Sequence, residues 1–569
     1  MGRRIQHRRM LLLAQLVAPP LQPGPARLPE QTPLEQRRPA AGDRDRPILL
    51  TPGSGGVGAP TRPEPAPKDT PRDGAPAVEG NTPYSPQQLR EILGRCRRNT
   101  QAETLNACAA ALTARLTADG YVNTRVFVRA TPAPGSLNVV EGRIAELRIT
   151  SADPSLARDI RSRLKGLQGE VLHLPSLERQ LVALRSIPGV GQIKGSLGRL
   201  GTDPTAAVLN LAIEPVPAPW TGDLSIRNDG NAGSGEWRAV GVVLKNNLAT
   251  RGDTFLVYGE LNADQDPEIG AVITSLSYSV PLANRLNLTS SLGYSRRNLV
   301  EASGAAHNVS FIQYQGLGQL EWTLQQGLNQ RTMVFAGFSG NSTSSTLSGA
   351  AVALVGGSLG PINQVSTGFV RAGVAFSGNQ GPLAWGGNAY GLQGIAGVST
   401  SQQLASLATV GTDPGQSRAL GGIVSLAWAI SDRLQFNGRV AAQLAFNQLT
   451  NDMGFALGSD TGLKGLPGTF ISGDNGYLWS TELAYTVWRN SRQAVQLVPF
   501  LGYGGISLKR NGGWFSDTVG SGGAYVRWLA GRHWNLELGW ITPIDEGTRV
   551  YWNNWLLGSG VYSKIQYRF

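Results

Sequence analysis

Between positions 220 and 569 apolar and polar residues trade places along runs of about ten residues, each run ending in turn-forming residues. In 434–446, Leu434, Phe436, Val440, Ala442, Leu444 and Phe446 share one face, and Gln435, Asn437, Arg439 and Gln443 the other. In 285–294, Leu286, Leu288, Leu292 and Tyr294 oppose Asn287, Thr289 and Ser291; in 254–261, Phe255, Val257 and Leu261 oppose Thr254, Tyr258 and Glu260. A period of two predicts strands. A soluble sandwich would have shorter strands and two faces in a shared core, whereas one oily face repeated over many strands predicts an all-β transmembrane barrel. The connections support this. Seven tight joints, among them 247–253, 281–285, 431–433 and 489–493, alternate with eight long polar linkers, among them 339–363, 447–476, 509–518 and 542–557. Counting 350–359 as loop, they join about sixteen antiparallel strands, an allowed even number. Trp220, Trp385, Trp479, Trp488, Trp528, Trp534 and Trp540 fall near strand ends, as an interfacial girdle requires. The final run puts Val561, Ile565, Tyr567 and Phe569 on one face, so Tyr567 and Phe569 are the expected closing-strand signal.

Upstream the pattern is different. Residues 85–217 cycle through helices and strands twice. Helices are expected from Ser85 and across 102–118, then 155–164 and 175–186; strands are expected at 121–129, 136–140, 142–149, 192–197 and 206–213. Two small α+β domains, 85–149 and 150–217, fit better than one large one. Ahead of them, 19–84 is Pro-rich, the stretch 19–86 holding half of the 34 prolines, and reads as a tail or linker. Residues 1–18, with Arg3, Arg4, Arg8 and Arg9 before a short apolar run, read as a signal segment.

Composition narrows the function. Of the 569 residues only 16% are charged, and 73 are Gly. No apolar stretch approaches the length of a spanning helix. Two cysteines and four scattered histidines supply no metal site, and no cofactor is expected. The net charge of +12 is not gathered into a basic stripe with interleaved aromatics, which argues against nucleic acid. No convergent Ser/His/Asp or paired-carboxylate arrangement stands out, so an enzyme is not expected.

Some of these residues form recognisable motifs. Gly120-Tyr121-Val122, Arg125-Val126, Gly135-Ser136-Leu137 and Val140-Glu141-Gly142-Arg143-Ile144 resemble the first POTRA domain of two-partner secretion transporters. These outer-membrane pores of the haemolysin/haemagglutinin secretion-activation family carry two POTRA domains before a 16-stranded barrel. Leu174-Pro175-Ser176-Leu177-Glu178 and Ile187-Pro188-Gly189-Val190 are similar to the second POTRA domain, and the likeness runs from about 85 to 569. The resemblance implies a long outer loop folded into the pore, whose tip Arg pairs with an Asp on the inner wall. Here the tip is Leu463-Lys464-Gly465-Leu466, and the wall motif is Phe500-Leu501-Gly502-Tyr503-Gly504. With Lys464 for Arg and Gly502 for Asp, the usual bidentate pair cannot form. Glu482, inward on the strand opposite Tyr477, Trp479 and Leu483, is the expected partner of Lys464; the alternative is a solvated lysine. Gly502 and Gly504 would let the tip approach the wall.

The implied function is a translocation pore in the cell outer membrane, its POTRA domains in the periplasm. They would hold an unfolded, large β-helical exoprotein by its N-terminal secretion domain, and cargo folding outside would supply the driving force. Strand 121–129, with Tyr121, Arg125 and Arg129, is the candidate docking rail; a solvated spacer strand is the alternative. The other functional readings are an outer-membrane assembly or import factor and a diffusion porin, and outer-membrane lipid is the remaining partner. Cys96 and Cys108, in the first two predicted helices, would form a disulfide in an oxidising periplasm, or else are two small core residues. Intact-mass analysis with and without reductant checks this: the bridged chain gains the mass of two hydrogens on reduction.

Overall fold

The computed structural model describes residues 76–569 apart from 95–101, 132–134, 185–186, 188–189, 216–219, 232, 265–267, 284, 302–308, 327–329, 353–361, 511–512 and 546–554. The expected signal segment, nearly all of the Pro-rich tail and Cys96 lie outside them. The chain divides into a unit ending at Ala218 and a unit starting at Pro219.

The upstream unit traces one path twice. In the first pass β1 (Ala77–Glu79), α1 (Pro86–Leu93), α2 (Ala102–Ala118), β2 (Arg125–Arg129) and β3 (Ser136–Val140) form a sheet in the order β1-β3-β2, with β1 parallel to β3. In the second, β4 (Arg143–Ser151), α3 (Pro154–Leu164), α4 (Leu174–Leu184), β5 (Val190–Leu200) and β6 (Asp203–Pro215) repeat it as β4-β6-β5. Local sequence sets the helix starts. Ser85 and Gln88 make a reciprocal capping box on α1, and the Asp153 carboxylate accepts the Ser155 and Leu156 N–H groups ahead of α3. Leu112, Leu116 and Leu137 are fully buried in the first core, as are Leu156, Ile160, Leu181 and Leu209 in the second. Cys108 is buried in the first core.

Two expectations change here. The tail does not run unstructured to position 84: Ala77–Glu79 pairs with Ser136–Asn138. A three-residue strand is too short to carry a period, and its stability comes from the neighbour it pairs with. The strand expected from position 121 begins at Arg125, because Tyr121–Thr124 close a turn in which the Thr124 N–H donates to the Tyr121 carbonyl.

The second unit is a closed barrel of sixteen antiparallel strands. They are β7 (Thr221–Arg227), β8 (Trp237–Asn246), β9 (Thr254–Ala263), β10 (Ile269–Ala283), β11 (Leu286–Asn298), β12 (Val309–Gln326), β13 (Gln330–Leu347) and β14 (Gln364–Gln380). The second half comprises β15 (Leu383–Gly394), β16 (Arg418–Ala429), β17 (Leu434–Ala445), β18 (Asn475–Arg489), β19 (Gln493–Arg510), β20 (Gly513–Ala530), β21 (Trp534–Asp545) and β22 (Val561–Arg568). Ala350–Ala351 adds only a two-residue ladder against the end of β13. Alternation sorts the wall: Leu420, Val440 and Leu444 face outward, while Asn437, Gln443 and Gln496 are buried inward. The last strand closes on the first. Lys564 to Arg568 pair with Arg227 to Asp223, and Phe569 and Gly222 exchange two backbone hydrogen bonds of 3.1 Å.

All seven tight joints lie at strand ends, but several strands outrun the expected ten residues. The 509–518 linker is strand instead: β19 runs to Arg510 and β20 starts at Gly513, with Lys509 paired to Trp514. Likewise β13 continues to Leu347 into the expected 339–363 linker. Beyond the bilayer both faces of a strand are wet, so pairing persists after the period-two signal has gone.

The 247–253 joint shows how tight turns hold without glycine throughout. Asn247 takes the left-handed region at φ 55°, its side chain accepting the Gly252 N–H at 2.8 Å. The buried Asp253 carboxylate accepts N–H bonds from Leu248, Ala249 and Thr250 at 2.7, 2.9 and 2.6 Å and the Tyr278 hydroxyl at 2.6 Å. Burial by itself would raise this carboxyl; the Tyr278 hydroxyl and the three backbone donors outweigh it and hold the pKa at about 2. A depressed carboxyl stabilises the fold above its unfolded pKa, and the stabilisation is lost as pH falls through the folded value. Asp253→Asn is therefore expected to destabilise the barrel by about 2 kcal/mol at neutral pH, and acidification from about pH 4 to about pH 2 to erode the parent's advantage. Urea titrations read by the gel mobility of folded and unfolded forms check both.

Candidate functional site

Between β17 and β18 the chain does not cross outside the barrel but enters it. Residues 447–474 include a short hairpin, Phe455–Leu457 against Ile471–Gly473, and fold into the lumen. Leu457, Leu463 and Leu466 are fully buried there against inward residues of the wall, among them Val498, Phe500, Val519 and Ile541. Two glycines on β19 make the approach possible. A methyl group on Gly502 would stand 2.7 Å from Leu463 Cδ2, and one on Gly504 would stand 2.9 Å from Leu457 Cδ2. Gly465, at φ 82°, turns the tip where a side chain would strike Ile541.

Charge holds the tip in register. Lys464 Nζ lies 3.3 Å from Glu482 Oε1 on β18 and 3.1 Å from Glu537 Oε2 on β21, and 4.6 Å from the Tyr525 ring centre on β20. The Lys464 carbonyl accepts the Ser521 hydroxyl at 2.6 Å. Arg527 closes the network from β20, reaching Glu537 at 3.1 Å, Glu482 at 3.4 Å and the Tyr525 hydroxyl at 2.7 Å. The Tyr562 hydroxyl of β22 donates to Glu537 at 2.9 Å. Two cations thus share two carboxylates in a site largely shielded from water, where each attraction is stronger than at a surface.

A second anchor sits across the closing seam. Asp460 of the loop meets Arg238 of β8 at 2.5 Å, and Arg238 also bonds Glu260 of β9 at 2.7 Å, whose carboxylate accepts the Tyr258 hydroxyl. Nearby the Gly468 N–H donates to the Gly230 carbonyl at 2.8 Å, and the Thr469 N–H to Asn231 Oδ1 at 3.0 Å. The loop is therefore tied to strands at both ends of the barrel sequence. Beside it a cavity of about 140 Å³ remains, lined by Arg371, Tyr390, Arg439 and Asp452 among others.

The sixteen-stranded barrel has counterparts among known proteins. The family model of haemolysin secretion/activation proteins, ShlB/FhaC/HecB, matches residues 207–523, more than half of the chain. The chain belongs to this family. It is a two-partner secretion transporter of the outer membrane. It is 24% identical over 481 residues to the outer membrane transporter CdiB of Escherichia coli, covering 79% of this chain and 74% of that protein. The CdiB of Dickeya dadantii is 20% identical over 381 residues, covering 65% and 64%. The solved CdiB structure from Escherichia coli matches with a TM-score of 0.60 at 17% identity, over 92% of this chain and 94% of that one. CdiB from Acinetobacter baumannii gives 0.57 at 14% identity, over 100% and 97%. These likenesses show a shared fold. The two repeated α+β units upstream of this transporter's barrel are compatible with POTRA domains.

The structure brings together Lys464, Glu482, Gly502 and Gly504, with Phe500 buried alongside. Reading the sequence missed Glu537, Arg527 and the Arg238–Asp460 pair. A signal was present: Glu537 sits between Leu536 and Leu538, and Arg527 between Val526 and Trp528, where alternation turns a lone charge inward. In the upstream unit the proposed rail does not stay together. Tyr121 lies off the strand with its ring 4.8 Å from that of His173, and Arg125 donates to the carbonyls of Val122 and Thr124. Arg129 pairs with Glu79 at 3.8 Å, and β2 is an outer strand of its sheet.

Removing one partner of a buried charge pair leaves the other uncompensated. Glu537→Gln and Lys464→Met are each expected to destabilise the seated loop, and the double variant to recover part of the loss, with a coupling of about 1–3 kcal/mol. Urea unfolding of the four proteins, together with proteolysis at 447–474, measures it.

Proposed function

We propose that this transporter recognises one unfolded exoprotein through its upstream α+β units and passes it through the barrel, the loop 447–474 leaving its seat as the cargo enters. The observation that carries this reading is the seated loop itself. It is held by apolar packing and by Lys464 shared between Glu482 and Glu537, contacts that can be broken and remade without unfolding the wall. A lumen so occupied does not suit free diffusion of small solutes. No nucleotide hydrolysis operates at the outer membrane, so the driving force is assigned to the cargo: repeats that pair and bury apolar surface outside cannot return as an extended chain. For the periplasmic contact, β2 offers an outer strand with Phe127 exposed, where an extended peptide could add in the β-augmentation mode.

Deleting the gene and comparing the proteins in the culture medium tests this. One large secreted protein is expected to vanish, to return with the parent gene, and to return at reduced level with Glu537→Gln. An unchanged medium with several outer-membrane proteins depleted would instead make the chain an assembly factor.

A further inference from the structure

On the lipid side of the wall, Ala336 of β13, Ala372 of β14, Gly391 of β15 and Leu420 of β16 fall in one register row, each paired with the next. The first three are too small to fill that face. The row above them, toward the long-connection end, is Phe338, Val370, Gln393 and Arg418, with Phe446 beyond. The result is an open groove of about 660 Å³, flanked by the outward side chains of Val370, Leu420 and Phe446.

The groove has a polar mouth at one end only. Arg418 is the first residue of β16 and follows the 395–417 connection, so it lies where the wall leaves the bilayer on the long-connection side. Its Nε donates to Gln393 Oε1 at 2.6 Å, while the Gln393 amide nitrogen is held by the carbonyls of Gly394 and Gly415 at 2.8 and 2.9 Å. A fixed glutamine therefore orients an exposed guanidinium over the groove, and no carboxylate among the described residues pairs with it.

We propose that this groove binds one phosphate-bearing, acylated lipid of the outer leaflet, with an acyl chain along Ala372 and Gly391 and the phosphate on Arg418. A void in a wall facing hydrocarbon forfeits dispersion contacts, and a chain laid along it restores them. The two Nη groups of Arg418 match a phosphate geometrically and in charge. The face looks into the bilayer, so the occupant is a lipid rather than a soluble anion. The site lies on the opposite side of the wall from the lumenal loop and is independent of the cargo reading.

The full-length protein, reconstituted in nanodiscs containing lipid A or its dephosphorylated form and then moved to detergent, is examined by native mass spectrometry for retained lipid. The parent is expected to retain one lipid A about tenfold more than the dephosphorylated lipid, and Arg418→Gln to remove that preference. Arg296→Gln, which alters another outward arginine on β11 remote from the groove, is expected to leave it intact. Ala372→Leu, with folding checked by gel mobility, is expected to lower retention of both lipids. Equal retention by the parent and Arg418→Gln, or equal retention of the two lipids by the parent, would reduce the groove to ordinary annular contact and overturn the proposal. Displacement of lipid A by millimolar inorganic phosphate alone would overturn it too, by marking a soluble-ion site.

Discussion

A backbone amide inside a bilayer has no water to bond, so every N–H and C=O in the wall must find another strand. Closure follows from that requirement, and with it the rest of this molecule. The chain satisfies it at its own end: Phe569 exchanges two hydrogen bonds with Gly222, and where β7 has stopped, the Asn228 side chain takes over, bonding the Val561 carbonyl at 2.6 Å and the Ser563 N–H at 2.9 Å. Once the cylinder is shut, alternation has two destinations. Outward residues meet hydrocarbon, and inward residues meet a polar space that must be filled with water, ions or protein.

This chain fills part of it with protein. The loop brings leucines as well as charges into the lumen, and the wall answers with glycines at 502 and 504 and with Val498, Phe500 and Ile541, so the inner face is not uniformly polar. Mixed packing of this kind makes a seat rather than a covalent lock. A lysine offers no planar two-bond fork, and the site surrounds the one ammonium group of Lys464 with two carboxylates and an aromatic face. Arg527 then balances the second negative charge, so each carboxylate has a cation within reach.

Much of the architecture was legible because its determinants are local or periodic. The wall strands declared themselves through period two, the tight joints through their turn residues, and α1 through Ser85. What escaped was what lacks a period. Ala77–Glu79 is a strand only because β3 lies beside it, and the paired ends of β19 and β20 lose alternation where both faces are wet. At the site, Lys464 and Glu482 could be matched because a motif located one and alternation the other. Glu537, 73 residues beyond Lys464, had no motif to point to it.

By itself, then, the sequence determined which faces of the strands are oily, where the chain turns and roughly how many strands there are, since these depend on neighbours one or two positions away. The tertiary structure decided which inward charges meet. Register between strands distant in the chain sets whether Lys464 finds Glu537 or Asp460 finds Arg238, and which outward small residues line up beneath Arg418. A shift of two residues in a strand pairing would preserve every oily face and undo each of those encounters.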